Sequence, residues 1–413
     1  MKKKDAQISA GSSSNRRSFL KTGVAAAGAA TVGVGLLNSP SRAFAREHQE
    51  HEDSNGRLNR GDAAILRFLQ ALETIEADLW RQYAELGGAG ANVPGTVGNS
   101  PVDLTFPTAL APLYIAGLQQ LDGDMPQYIN DNTDDEFSHE SFLKAYLQSK
   151  GEPIADLSKF FNLSPSQVTG VPNIGRLTNL TQLTVDTTWW TRYRSDSKNP
   201  DLGDSFDPAI PTLAVGQHTA IPRTNKDLIA DPNQPGGVSV HTQAIANTAG
   251  FHFAFIEQGG NSLYPSLAQR VSNVEVLRIL LSIGPSETMH FQTWHDKAGN
   301  AIHLTDTDTG FPGSTGATVT FPDLNAFTDP KVADEFQTNL IMPEPTFFLN
   351  KKFGPVSIIR PTETQNAATG ALQSLIDDGL FIGHTSKSGK SDGFVELLRG
   401  LAEEADDARR QAD

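Results

Sequence analysis

The chain has 413 residues, 38% of them apolar, with 33 Lys and Arg against 48 Asp and Glu and no cysteine. Its length suits one large elaborated domain or two domains, and a net charge of −15 argues against nucleic acid or an anionic membrane as partner. The missing cysteine excludes disulfides, thiolate catalysis, iron–sulfur clusters and zinc–cysteine sites, so any metal must be held by oxygen and imidazole ligands.

Residues 1–45 read as an export signal. Arg16-Arg17 is followed by Phe19, Leu20 and Lys21, then by a mildly apolar stretch over 23–37 and the small-x-small triplet Ala43-Phe44-Ala45. This is the pattern of a twin-arginine signal with its cleavage site. The apolar stretch, rich in Gly and Ala, falls short of the roughly 20 residues that a spanning helix needs. The expectation is a periplasmic or extracellular protein, exported folded, with no membrane contact after cleavage. Losing seven Lys or Arg and one Asp with the signal takes the net charge to about −21.

A polar leader over 46–60 precedes the first predicted helix. From Gly61, Ile65, Leu66, Leu69, Leu72, Leu79, Trp80 and Tyr83 recur at steps of three and four, with Asp62 as the expected N-cap and Gly87-Gly88 as the stop. A second long helix is predicted around 125–150, opening near Pro126 and ending at Gly151. Residues 151–240 are rich in Pro, Gly, Thr and Asn, with strand-like pieces such as "LTQLTVDTTWWTRY", and read as an insertion too long for a helix connection. Two further helices are predicted near 241–270 and 273–298, so that a helical domain with its insertion occupies 61–300. Residues 301–413 read as a loop-rich extension ending in the amphipathic "GFVELLRGLAEEADDARRQ", whose charges form a solvated face.

Each of the four long helices places a carboxylate on its apolar stripe: Glu73 with Glu76 one turn on, Glu136, Glu257 and Glu287. Two of them add an imidazole three residues later, Glu136 with His139 and Glu287 with His290. Residues i and i+3 share a helical face, so each pair directs both ligands at one point. With 18 Glu and 10 His in the chain, about 0.4 such pairs are expected by chance, so one would mean little. Two pairs and two single glutamates supply the four carboxylates and two imidazoles of a dinuclear iron or manganese centre in a four-helix bundle. Trp80, Tyr264 and Trp294 each follow a proposed ligand by seven residues, and Leu143 takes that place after Glu136. The repetition makes the two halves look like copies of one helical hairpin. A carboxylate buried alone on such a stripe would be costly, and a cation removes that cost.

The segments "FLQALETIEADLWRQY", "DEFSHESFLKAYL", "FIEQGGNSLYPSLA" and "SETMHFQTW" resemble the four helices of the ferritin-like superfamily, in particular exported members related to plant desiccation-related proteins. The resemblance implies a mainly α fold: a ferritin-like bundle with a large irregular, β-containing insertion. It implies Glu73, Glu136, His139, Glu257, Glu287 and His290 as ligands of two Fe or two Mn ions, with Glu136 and Glu257 favoured as bridges. Glu76 and His295 are further candidates: Glu73 is preferred over Glu76 for its aromatic at +7, and His295 is read first as a capping or surface residue. Gly284-Pro285, one turn before the last Glu-x-x-His pair, is expected to kink or bulge its helix.

Other histidines (His218, His241, His252) lack regular spacing and are read as structural. "GHTSKSGKS" departs from the spacing of a phosphate loop and is rejected as one. Two functions are consistent with these residues. The first is redox chemistry of a dinuclear centre on peroxide, dioxygen or ferrous iron. The second is a non-enzymatic structural or metal-binding envelope protein linked to stress or desiccation.

Overall fold

Asn59, and not Asp62, caps the first helix. The Asn59 side chain accepts from the Asp62 amide at 2.9 Å, and helix α1 runs Arg60–Gly87. Asp62 is turned instead onto the amides of Ser272 and Asn273, at 3.0 and 2.8 Å, and so ties the start of α1 to a connection more than 200 residues away. The chain is a computed structural model that describes residues 56–89, 110–195, 198, 204–324, 339–341, 352, 356–358, 366–384 and 389–408. Met1–Gly56 and Arg57–Asp413 are separate units, and every helix and strand of the described residues belongs to the second. The export signal and most of the leader lie outside the described residues.

The short helix α2, Pro112–Leu118, leads to α3, Met125–Ser149. Helix α3 lies antiparallel against α1: its start meets the end of α1, where Ala89 donates to Pro126 O, and its middle meets Trp80 O through Thr133 at 3.3 Å. After a five-residue helix α4, Thr188–Arg192, the chain forms α5, Val240–Ala268, and α6, Val274–Ala298. Ser239 and Asn273 cap these two through their side chains. The connection between α5 and α6 is short, so they pack as an antiparallel pair. Glycine sets how closely they pack: a Cβ on Gly284 would lie 2.8 Å from Tyr264 Cβ.

Helix α6 runs unbroken through Pro285, with no π-bulge beside it. The amide that proline lacks would have bonded the carbonyl of Leu281, whose residue is 56% exposed. Water can take that acceptor, and Ser286 and Thr288 turn their hydroxyls back onto Ile283 O and Gly284 O.

Between the pairs, aromatic side chains fill the core. Trp80 of α1 stacks on Trp294 of α6 with ring centres 5.3 Å apart, and Phe253 of α5 packs on both. The described chain is mainly helical.

The insertion carries isolated bridges and no strand among the described residues. The "TTWWTR" piece, expected to be strand-like, is helix α4. Its entry is set by Asp186, whose two oxygens accept from the Thr188 amide and hydroxyl at 2.9 and 2.8 Å. Trp189, Trp190 and Tyr193 are buried against Phe251 and Phe291 of α5 and α6, so the insertion is built into the core. Asp78 of α1 reaches it by accepting from the Leu177 and Thr178 amides, both at 3.0 Å.

Among its described residues the extension has two antiparallel strand pairs, β1 (Leu304–Thr307) with β2 (Thr318–Phe321) and β3 (Asn339–Ile341) with β4 (Val356–Ile358). Helices α7, Ala367–Asp377, and α8, Phe394–Asp406, come next, and α8 packs its Phe394, Leu398 and Ala402 side inward, against α1 and α7. No helix among the described residues is long and apolar enough to cross a membrane.

Candidate metal centre

The helical periods of α1, α3, α5 and α6 bring all six predicted ligands to one buried place. Two overlapping sets form there. Glu73, Glu136, His139 and Glu287 make the first, Glu136, Glu257, Glu287 and His290 the second, each with one ligand atom per residue within 4.8 Å of the others. Glu136 and Glu287 belong to both. The pair expected to be shared was Glu136 and Glu257; Glu257 enters only the second set. The reason is geometric: the two Glu-x-x-His helices each place their glutamate between the two imidazoles, whereas α1 and α5 each reach one side.

His139 Nδ1 lies 3.2 Å from Glu136 Oε2, 3.2 Å from Glu287 Oε1 and 3.4 Å from Glu73 Oε2. His290 Nδ1 lies 3.1 Å from Glu136 Oε1 and 3.3 Å from Glu257 Oε2. The outer nitrogens are held from behind, His290 Nε2 by Asp135 at 3.0 Å and His139 Nε2 by Ser286 at 3.2 Å. Such partners orient a ligating ring and fix its tautomer. Sequence reasoning missed Asp135 and Ser286, and it missed Asn132. Asn132 gives one amide hydrogen to Glu136 Oε1 and the other to Glu257 Oε1, both at 2.9 Å. Its position one turn before Glu136 was the available signal. Tyr264, noted only as a flanking aromatic, donates its hydroxyl to Glu73 Oε1.

Burial makes the cluster electrostatically expensive without a cation. Burial pushes Glu73 up to about 8, with Glu136 and Glu287 adding to the rise. Burial likewise raises Glu257 and Glu287. Glu136 behaves differently: burial opposes its charge, but the close imidazoles of His139 and His290 outweigh it and hold the carboxyl well below its ordinary range. Both imidazoles are raised, against their burial, by the surrounding carboxylates. In the metal-free cluster, protons thus stand where cations would.

The residues fit a pair of divalent ions. Glu73 Oε2, Glu257 Oε2, both oxygens of Glu287 and His290 Nδ1 are buried without a well-aligned hydrogen bond, and all but Glu287 Oε2 have only imidazole–carboxylate contacts of 3.1–3.4 Å. Buried polar atoms are nearly always satisfied, so five such atoms facing one another call for a shared partner. Carboxylate oxygen and imidazole nitrogen are donors suited to iron and manganese, and four carboxylates balance the charge of two divalent ions.

Glu76 is half-buried and belongs to neither set; burial and the site carboxylates raise its pKa. It lines, with Glu73 and Tyr264, a cavity of about 280 Å³ that reaches the edge of the cluster. His295 is neither a cap nor on the surface. It is fully buried, stacked on Trp190 with ring centres 4.9 Å apart and 2.6 Å from Arg194 Nη1, and it belongs to neither ligand set. The other three histidines go to separate places: His218 to backbone carbonyls, His241 between Asp227 and Asp306, and His252 between Tyr83 and Asp378.

No family model, curated protein or solved structure matches the chain.

Proposed function

We propose that the protein is an exported, ferritin-like metalloprotein with a dinuclear iron or manganese carboxylate centre that carries out redox chemistry on peroxide, dioxygen or ferrous iron. The observation that carries this reading is the pair of overlapping ligand sets sharing Glu136 and Glu287, with five buried ligand atoms left without a well-aligned hydrogen bond. Glu73 and His139 would hold one ion, Glu257 and His290 the other, and Glu136 and Glu287 both. When bound, such ions supply changes of oxidation state that amino-acid side chains lack.

The chain's own residues prepare the site. Asn132 positions Glu136 and Glu257, and Tyr264 positions Glu73. The Trp80, Phe253 and Trp294 cluster closes one side with apolar rings. The cavity at Glu73 and Glu76 offers a small reactant a way in from the other. The twin-arginine signal read in residues 1–45 belongs to a route that carries folded proteins, which suits a centre loaded before export.

Metal analysis of protein purified without chelator tests the reading. About two iron or manganese per chain, with peroxide, dioxygen or ferrous-iron turnover lost in Glu287→Ala, is expected. Less than about 0.2 per chain after reconstitution would sink it. That result would favour a structural envelope protein, a reading supported by the contacts of His139 with Glu73 and Glu287 and of His290 with Glu136 and Glu257, which link the four helices by themselves.

A further inference from the structure

The cavity beside Glu73 is larger than a passage for water or peroxide requires. At about 280 Å³ it has room for about nine non-hydrogen atoms, taking ~30 Å³ each as in liquid water. Leu69 and Leu72 of α1, Phe255 and Leu263 of α5, and Ala371 and Leu375 of α7 supply its apolar wall. Glu73, Gly260 and Tyr264, at the border of the metal centre, form part of the same lining. Glu76, Thr188, Gln258 and Ser262 add polar groups to this wall, and small-molecule sites combine apolar surface with placed polar groups in this way.

A further polar group is a cation without a counter-ion. Arg192 of α4 lines the cavity and is only 4% exposed. Its Nη2 donates to Gln258 Oε1, while its Nε has no acceptor. No carboxylate among the described residues comes within 4.0 Å of it. Asp186 lines the same cavity, but both its oxygens are engaged by Thr188. A buried guanidinium left in this state is costly, and an incoming carboxylate would supply both the missing charge and an acceptor matched to its planar fork.

We propose that this cavity binds a small organic monocarboxylate with an apolar chain of about six to eight carbons, its carboxylate paired with Arg192 and its chain among the α1, α5 and α7 side chains beside Glu73. That the acid is a substrate of the redox centre rests on the dinuclear reading above; that it binds does not. The cavity then selects the reactant by charge at one wall and by length along the others.

Calorimetric titration of octanoate and of octan-1-ol into the purified chain, before and after metal removal, tests the assignment. One octanoate per chain with Kd below about 1 mM is expected, with octan-1-ol weaker by about tenfold or more. Arg192→Gln should abolish that preference while the circular dichroism spectrum stays unchanged. Ala371→Trp, which fills the cavity and leaves Arg192 in place, should abolish octanoate binding. Equal binding of acid and alcohol by the unaltered chain, octanoate heats unchanged by Ala371→Trp, or no octanoate binding at all would each overturn the proposal. A chain that holds no metal yet binds octanoate through Arg192 would retire the dinuclear reading and leave the pocket standing.

Discussion

The indole nitrogen of Trp294 donates to Asn132 Oδ1 at 2.7 Å, and this bond decides which way the Asn132 amide faces. With its oxygen held by Trp294, both amide hydrogens point at Glu136 and Glu257. The aromatic core is thereby coupled to two ligands on different helices. Trp294→Phe keeps most of the ring packing but leaves the amide oxygen buried and unpaired. A loss of about 1–3 kcal/mol in chelated protein is expected, together with about 10–100-fold weaker metal binding. Thermal melts and metal titration measure the two separately; unchanged affinity would show that Asn132 does not depend on Trp294.

Glu136 and Glu257 should respond differently to neutral replacement in chelated protein. Glu136 stays charged there because its contacts with both imidazoles outweigh its burial, so Glu136→Gln should destabilise by about 1–3 kcal/mol. Burial drives Glu257 toward its protonated form, which glutamine imitates, so Glu257→Gln should be nearly neutral in the same melt. Both should lose metal.

Metal loading should release protons and strengthen as pH rises. Glu73, pushed up to about 8 by burial, is protonated in the metal-free chain below that pH and must lose its proton to bind a cation. The raised His139 and His290 must do the same. Affinity therefore falls as pH drops from about 8 toward 6, by about tenfold per pH unit for each proton displaced. Calorimetry in buffers of different ionisation enthalpy counts those protons, and heats independent of buffer would contradict the assignment.

Two glycines separate site from scaffold. A Cβ on Gly260 would meet Glu287 Oε2 at 2.8 Å, so Gly260→Ala should displace that ligand and weaken metal binding. Stability should change little, since alanine gains about 0.5–1 kcal/mol in a helix. A Cβ on Gly284 would meet Tyr264 Cβ at 2.8 Å, where only a shift of α5 against α6 relieves the clash. Gly284→Ala should cost about 1–3 kcal/mol by overpacking. The reverse ranking in melts and metal titration would refute this division.

The sequence by itself determined the four long helices to within a few residues and all six members of the carboxylate–imidazole cluster. Helical periodicity and the i, i+3 spacing of Glu136 with His139 and of Glu287 with His290 are local properties, and a buried carboxylate on an apolar stripe stands out against its neighbours. What only the tertiary structure decided involves residues remote along the chain. Asn132 meets Glu257 across 125 positions, and Arg192 meets Gln258 across 66. Asp62 binds the α5–α6 connection instead of capping its own helix, and His295 is drawn into an aromatic core that the insertion helps to build. The sharing of Glu136 and Glu287 likewise depends on how two helix pairs face each other. A repeating local period says which side of a helix is buried, and the partner on that side is chosen by packing.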